Sequence, residues 1–350
     1  MYKPFDSIKD LSIEEAEKLV VATGEKEYKA KQIFNWLYER NIDDYDLMTD
    51  ISKRFRLFLK GNYPISSLLP EERLISSVDG AEKYLFKTAD GQYVESVLIR
   101  NDQTDEGRLT VCVSSQVGCA MGCVFCQTGR MGFVRNLSPG EIIDQVCHIR
   151  RITGLKNNNV VFMGMGEPFN NYDNVIKAAD IMNYSFGFHL STRKITISTC
   201  GITPALERYI DEKRMYNLAI SLNDTLSEKR AMHMPVERIY PFESIRDLLE
   251  SKYPHSKNRV TIGYVMRNDN ISSGDAKRLK RMFRYSRIKL NLIHLNRGSH
   301  GLELPSPDEI THFIEELKIM NVPISIRNSL GTDIYGACGQ LSGNRVKEAS

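Results

Sequence analysis

The stretch Val117-Gly118-Cys119-Ala120-Met121-Gly122-Cys123-Val124-Phe125-Cys126-Gln127-Thr128-Gly129-Arg130-Met131 decides how the rest of the chain is read. Its cysteines follow a C-x3-C-x2-C spacing, and its glycines let the backbone curl around a bulky inorganic group. Three thiolates in so short a loop call for a metal. A structural zinc site takes four protein ligands, and so does an all-cysteine 4Fe–4S cluster. Three ligands point to a cluster with one iron left open to something else. The zinc reading needs a fourth donor, and Cys112, Cys147 or His148 could supply it.

Outside the loop, the totals narrow the class. At 350 residues the chain has room for one large domain, or one large and one small. Hydrophobic content of 41% and charged content of 26% are those of a soluble globular protein. No run of 18 or more apolar residues occurs, so no membrane span is expected. The start, Met1-Tyr2-Lys3-Pro4-Phe5-Asp6, lacks the apolar core of a signal peptide. Seven cysteines without an export signal fit a reducing, cytoplasmic setting, where thiols serve metals or catalysis. The net charge of +3 hides an asymmetry. Residues 251–300 hold twelve Lys/Arg against two acids, a net of +10, which leaves −7 for the remainder. Such a window is either a phosphate-binding face or a solvated helix face.

Residues 1–75 read as a small helical accessory domain. Ser12 with Glu15 forms a capping-box pattern. Tyr28 to Arg40 carries Ile33, Phe34, Trp36 and Leu37 at helical spacing, and a further helix includes Arg54 to Leu59. Trp36 reads as core rather than as a base-stacking platform. Residues 76–105 read as a short-strand linker region, with a turn at Ala89-Asp90-Gly91-Gln92. Glu95 is the one acid inside the strands from Lys83 to Ser114. On the pattern alone it is an exposed strand charge.

The core spans 106–350. Ser138-Pro139-Gly140-Glu141 opens a helix with serine at N-cap, proline at N1 and glutamate at N3. Apolar runs near 160–163, 194–198, 217–222, 259–266, 289–295 and 324–327 then alternate with helical segments. One of these, Gly274 to Tyr285, sets Ala276, Leu279, Met282 and Phe283 against Lys277, Arg278, Lys280, Arg281 and Arg284. Alternation of this kind means βα units on a parallel sheet. About six units are too few for an eight-fold barrel, so the expectation is an α/β partial (β/α)6 barrel, open on one side. Its chemistry belongs at the C-terminal strand ends.

Cys119-x3-Cys123-x2-Cys126, with Phe125 before the last cysteine, resembles the radical S-adenosylmethionine (SAM) superfamily. Further strings resemble the RlmN/Cfr family of RNA adenine methyltransferases: Cys112 to Cys119, Gly164-Met165-Gly166-Glu167-Pro168, Ile197-Ser198-Thr199 and Gly331 to Leu341. The segment Tyr28 to Tyr38 resembles that family's accessory domain. The likeness covers essentially the whole chain, and Ala337-Cys338-Gly339-Gln340 is its family-specific part.

The resemblance implies one 4Fe–4S cluster held by Cys119, Cys123 and Cys126, with two SAM molecules used per turnover. It implies SAM contacts at Gly166, Glu167, Ser198, Ser221, Leu222, Asn223 and Asn296. One SAM would methylate Cys338, and a radical from a second would activate that methyl to join the adenine ring. Cys112 would then release the product through a transient disulfide with Cys338, with Glu95 as proton acceptor. The implied substrate is an adenosine, at carbon 2, in 23S ribosomal RNA and also in transfer RNA. Carbon 8, the antibiotic-resistance type, and a divergent paralogue acting on another RNA are the alternatives within the family. A radical SAM protein that cleaves SAM without methylating, and a zinc-stabilised RNA-binding module, lie outside that activity. The implied partners are RNA and an external electron donor such as flavodoxin or ferredoxin, for a monomer.

Three positions depart from the family pattern. Gln127 stands where alanine is usual, Asn223 where histidine is usual, and Ile293-His294-Leu295-Asn296 replaces a proline-aromatic-asparagine pattern. These changes bear on the substrate more than on the reaction type.

Overall fold

A computed structural model describes residues 7–101, 108–252, 260–282, 288–296, 302–319 and 323–343. The chain opens with helices α1 (Ile13–Ala22), α2 (Lys29–Phe34) and α3 (Lys53–Asn62). The Ser12–Glu15 capping box is formed, and Ser52 caps α3 by accepting from the Phe55 N–H. Beyond Phe34 the expected single helix changes pitch into a π turn at Asn35–Glu39. Trp36, Leu37 and Tyr38 are all buried there, and three consecutive inward side chains do not fit the 3.6-residue period.

Next come β1 (Leu68–Ile75), β2 (Glu82–Thr88) and β3 (Tyr93–Asn101). The region read as a linker is thus part of the main sheet. β1 starts inside the span expected to be helical, and β3 pairs antiparallel with β4 (Arg108–Cys112), Val97 lying opposite Cys112. After β4 a two-stranded hairpin, β5 (Gln116–Gly118) and β6 (Phe133–Asn136), brackets the cysteine loop and the short helix α4 (Gln127–Arg130).

From there strands and helices alternate: α5 (Pro139–Thr153), β7 (Asn159–Phe162), α6 (Tyr172–Asn183), β8 (Ile195–Thr199), α7 (Thr203–Asp211) and β9 (Asn217–Ser221). Helices α8 (Ser227–His233) and α9 (Phe242–Lys252) lead to β10 (Val260–Met266), α10 (Ser273–Met282), β11 (Ile288–His294), α11 (Pro307–Ile319) and β12 (Ile324–Arg327). The sheet order is β1-β2-β3-β4-β7-β8-β9-β10-β11-β12, antiparallel through β4 and parallel beyond it. Six βα units, closed by one more strand, form the partial barrel. No pairing joins β1 to β12 among the described residues. Alternate residues of β10, at Val260, Ile262, Tyr264 and Met266, are buried beneath the helices, which leaves the other face to line the barrel interior.

The accessory helices are locked to α5 through buried polar groups. Lys9 and Asp144, both fully buried, form an ion pair, and Asp10 accepts the Gly140 N–H at 2.8 Å. Buried charges survive only when paired and hydrogen-bonded. Asp144 meets that condition by also accepting from Ser66 Oγ at 3.0 Å.

Candidate active site

Gly118 ends β5 with φ near 71°, and a side-chain carbon there would sit 1.9 Å from the Gly132 carbonyl oxygen. Only glycine fits, and this fixes where the cysteine loop leaves the sheet. The loop is held by main-chain bonds: Cys119 N–H to Gly132 at 2.8 Å, Val124 N–H to His233 at 3.0 Å and Cys126 N–H to Cys123 at 3.1 Å. Cys119, Cys123 and Cys126 line one cavity of about 260 Å³ at the C-terminal ends of the parallel strands.

The three thiols suit a cluster better than a single ion. Burial pushes all of them upward, Cys119 to about 12, so they are neutral thiols on their own, and a metal group bound to them would draw off their protons. Among the described residues, Asp224, His233 and Asp269 are the three donors that converge closely enough for one ion. Arg267 already pairs with both of those carboxylates, at 2.6 Å and 2.9 Å. The fourth ligands considered for zinc are elsewhere. Cys147 and His148 sit on α5 beneath the accessory helices, where His148 Nε2 is 2.9 Å from the Leu68 carbonyl oxygen. Burial lowers His148 to about 4, so it is neutral.

Gly166, Glu167, Ser198, Ser221, Asn223 and Asn296 line the same cavity. Gly166 has φ near 103°, and an added side-chain carbon would lie 2.6 Å from Gln116 Cβ. Its neighbour Glu167 is buried and anchored, accepting from the Phe169 N–H at 3.0 Å and the Cys200 N–H at 2.8 Å, and burial raises its carboxyl. Ser198 and Ser221 occupy the C-terminal parts of β8 and β9. Leu222 is buried outside the cavity, and its N–H donates to Gly263 at 2.9 Å. Asn223 adopts φ near 58°, which asparagine tolerates better than most residues. Its Oδ1 accepts from the Val265 N–H at 3.0 Å, so the side chain is committed to holding β9 against β10. We expect Gly166→Ala to displace Gln116 and weaken SAM binding at least about tenfold, at a stability cost of about 1–3 kcal/mol. Equilibrium dialysis and thermal unfolding measure the two effects.

Cys338 also lines the cavity, on a segment strapped across the cysteine loop. Gln127 N–H donates to the Gly339 carbonyl at 2.7 Å, Thr128 Oγ1 to Leu341 at 2.7 Å, and Asn296 Nδ2 to the Cys338 carbonyl at 2.9 Å. The departure at Gln127 therefore meets the strap through its main chain, and its side chain does not line the cavity. His294 does line it. All seven cysteines are free thiols, so the expected Cys112–Cys338 disulfide is not formed in this state.

Cys112 closes β4 behind the cavity wall. Burial, then the charge of Cys338, pushes it to about 12. Glu95 corrects the exposed-charge expectation. It is 1% exposed, ion-paired to Lys83 at 3.0 Å, and its Oε2 accepts the Ser342 and Gly343 N–H groups at 2.7 and 3.0 Å. The strap thus runs from the cysteine loop to Glu95, although Glu95, Cys112 and Leu222 do not line the cavity.

Sequence reasoning missed two arginines. Arg327 of β12 is the one Lys or Arg lining the cavity among the described residues, and the charges of Cys338 and Cys112 raise it. Fully buried Arg230 pairs with Glu237 and donates to the carbonyls of Leu222, Cys200 and Ser221 at 2.8–3.0 Å. It ties the ends of β8 and β9 together. Their local patterns are those of ordinary surface residues; Glu237, seven residues on, is the sole sequence hint for Arg230.

Residues 7–65 match the family described as ribosomal RNA large subunit methyltransferase N-terminal domain, and residues 113–279 match the radical SAM superfamily. The chain is 44% identical to the dual-specificity RNA methyltransferase RlmN of Geobacter sulfurreducens, over 96% of this chain and 92% of that one. It is 39% identical to the probable dual-specificity RNA methyltransferase RlmN of Thermotoga neapolitana, over 95% and 96%. A crystal structure of a radical SAM methyltransferase from Sphaerobacter thermophilus superposes with a TM-score of 0.88 at 36% identity, covering 97% of this chain and 99% of that one. These matches run through the accessory domain, the cysteine loop and the partial barrel of this chain alike. The chain belongs to the RlmN family of radical SAM RNA methyltransferases, whose cofactors are a 4Fe–4S cluster and SAM.

Proposed function

We propose that this enzyme methylates carbon 2 of an adenosine in 23S ribosomal RNA and in transfer RNA, with Cys338 carrying the methyl group. The observation that carries the reading is the strap: Cys338 shares one cavity with the three cluster cysteines and interacts electrostatically with Cys112. An adenine ring carbon is not nucleophilic, so a methyl cannot simply be handed to it. A cysteine sulfur can accept one, because a thiolate is a good nucleophile. Cluster and SAM, when bound, supply methyl groups and a radical able to take hydrogen from a methyl. Cys119, Cys123 and Cys126 hold the cluster. Gly166 gives close backbone access to the methionine end of SAM, whose ammonium Glu167 grips. Ser198, Ser221 and Asn223 border the rest, with buried Leu222 backing them, and Asn296 fixes Cys338.

Once the methyl carbon on Cys338 is joined to the ring carbon, the adduct would return one electron to the cluster, and Glu95 takes the proton from the ring carbon. To do so it must give up Ser342 and Gly343, so the strap loosens as RNA is engaged. Cys112 attacks the Cys338 sulfur as a thiolate: an S–S bond forms, the C–S bond breaks with its electron pair passing to the ring-bound carbon, that carbon takes up a proton to become the methyl group, and an external thiol later reduces the disulfide. The enzyme works as a monomer in the cytoplasm, and its cluster is reduced by a one-electron carrier. With SAM bearing a deuterated methyl, label is expected first on the peptide containing Cys338 and then in RNA. Label in RNA without prior label on that peptide removes the two-stage route.

Helix α10 supports an RNA face. Lys277, Lys280 and Arg281 are exposed, whereas Arg278 turns inward to Asp275 at 2.6 Å and Thr225 at 2.7 Å. Arg284, with Lys257, Arg259, Arg287 and Arg297, lies outside the described residues. Lys277→Gln with Arg281→Gln should weaken RNA binding and lower the slope of log K against log salt by about 0.7–0.9 per lost phosphate contact. An unchanged slope would make the face merely solvated.

A further inference from the structure

The cysteine loop has an outer side as well as the inner one that faces the cavity. Ala120 and Gly122, both between the first two cluster cysteines, are exposed, so this stretch of the loop is a window onto solvent. Two segments border this window, and both are bonded to the loop. The entry to hairpin strand β6 meets it through Cys119 N–H to Gly132, the residue before the strand, and the end of α8 meets it through Val124 N–H to His233. Pro235 is the nearest neighbour of Gly122, 3.7 Å from where a side-chain carbon would stand.

Both borders expose large apolar side chains that the cavity does not use. Phe133 and Val134 are 48% and 52% exposed on one side, and Met232 and Ile239 are 60% and 71% exposed on the other. Both segments bonded to the loop thus carry exposed apolar side chains, of the kind that mark an interaction site, and Phe and Met are residue types enriched at protein interfaces. Arg130 and Arg238 are exposed beside the same window.

We propose that this face docks a small acidic one-electron carrier protein, which delivers its electron through the Ala120–Gly122 cover. The inference rests on the radical SAM reading of the site. In the step, one electron leaves the reduced carrier, which is oxidised by one electron, and enters the oxidised cluster; no covalent bond changes. The apolar rim gives contact area, and the two arginines steer an acidic partner and set its orientation. Electron-transfer encounters use small interfaces, so a rim of this extent suffices.

The test uses the full chain with its cluster reconstituted anaerobically, comparing wild type with Met232→Asp/Ile239→Asp and with Arg238→Glu. All three positions are surface-exposed and outside the cavity. Stopped-flow absorbance follows cluster reduction by reduced flavodoxin and, separately, by dithionite. Reduction by flavodoxin should slow at least tenfold in both variants and its affinity should fall likewise, while the dithionite rate stays at the wild-type value. Equal slowing with both reductants would mean damage to the cluster loop and overturns the assignment. Unchanged flavodoxin kinetics overturns it too, and if RNA affinity falls in the same variants the face belongs to RNA. A protein that assembles no iron–sulfur cluster fails the underlying reading instead, which iron and sulfide analysis shows before any kinetics.

Discussion

Cys338→Ala is expected to abolish RNA methylation, by about a thousandfold or more, while leaving the iron–sulfur cluster and SAM cleavage in place. The separation follows from how the strap is held. Gln127 reaches the Gly339 carbonyl and Asn296 the Cys338 carbonyl, so the bonds that fix this segment are to main-chain atoms. Removing one sulfur therefore leaves the cysteine loop with its neighbours and the cavity with its wall. What disappears is the group that accepts a methyl. Iron and sulfide content, the yield of cleaved SAM, and tritium transfer from SAM methyl to RNA measure the three properties separately. Retained transfer at even a tenth of the wild-type rate would sink the role of Cys338.

Cys112→Ala should fail later, with the protein still attached to its RNA. The variant is expected to complete less than one turnover and to accumulate a covalent complex that survives denaturing electrophoresis. The reason is the closing step, in which Cys112 must displace the joined carbon from the Cys338 sulfur. In the wild-type enzyme the same step carries a pH signature. With Cys338 a free cysteine, burial and then its charge push the Cys112 thiol to about 12; burial, the larger cause, remains once Cys338 carries carbon, so Cys112 is protonated at neutral pH. The reactive thiolate fraction of such a raised acid grows about tenfold per pH unit below its pKa, and product release should quicken from pH 7 to 9. Wild-type turnover by Cys112→Ala, with no adduct, would assign release to another group.

Much of the architecture was legible because local and global signals agree. Ser12 with Glu15, and Ser138 with Pro139 and Glu141, mark helix starts that the structure forms as capping boxes. The switch from period 2 to period 3.6 placed the βα units. β1 was illegible for a physical reason: Pro70-Glu71-Glu72-Arg73 has no apolar alternation, and a bulge between Pro70 and Glu72 breaks its register. The strand exists because β2 offers it a partner, which is a tertiary fact.

In the site, the C-x3-C-x2-C spacing is itself the geometry, so the loop could be read directly. Glu95 could not, since a lone acid in a strand looks solvated until Lys83 and the distant Ser342 and Gly343 close over it. Asn223 keeps its place in the cavity wall, but its amide is engaged by Val265, a use that its type alone does not reveal. Arg230 and Arg327 are the same case with the charge reversed. Nothing near them in the chain names the carbonyls or thiols that they meet.

Nucleoside mass spectrometry of 23S ribosomal RNA and transfer RNA, from cells with and without this protein, names the methylated atom. 2-Methyladenosine is expected in both RNAs when the protein is present and in neither when it is absent. Methyl on carbon 8, or RNA whose adenosines are the same in the two strains, would contradict carbon-2 methylation by this protein.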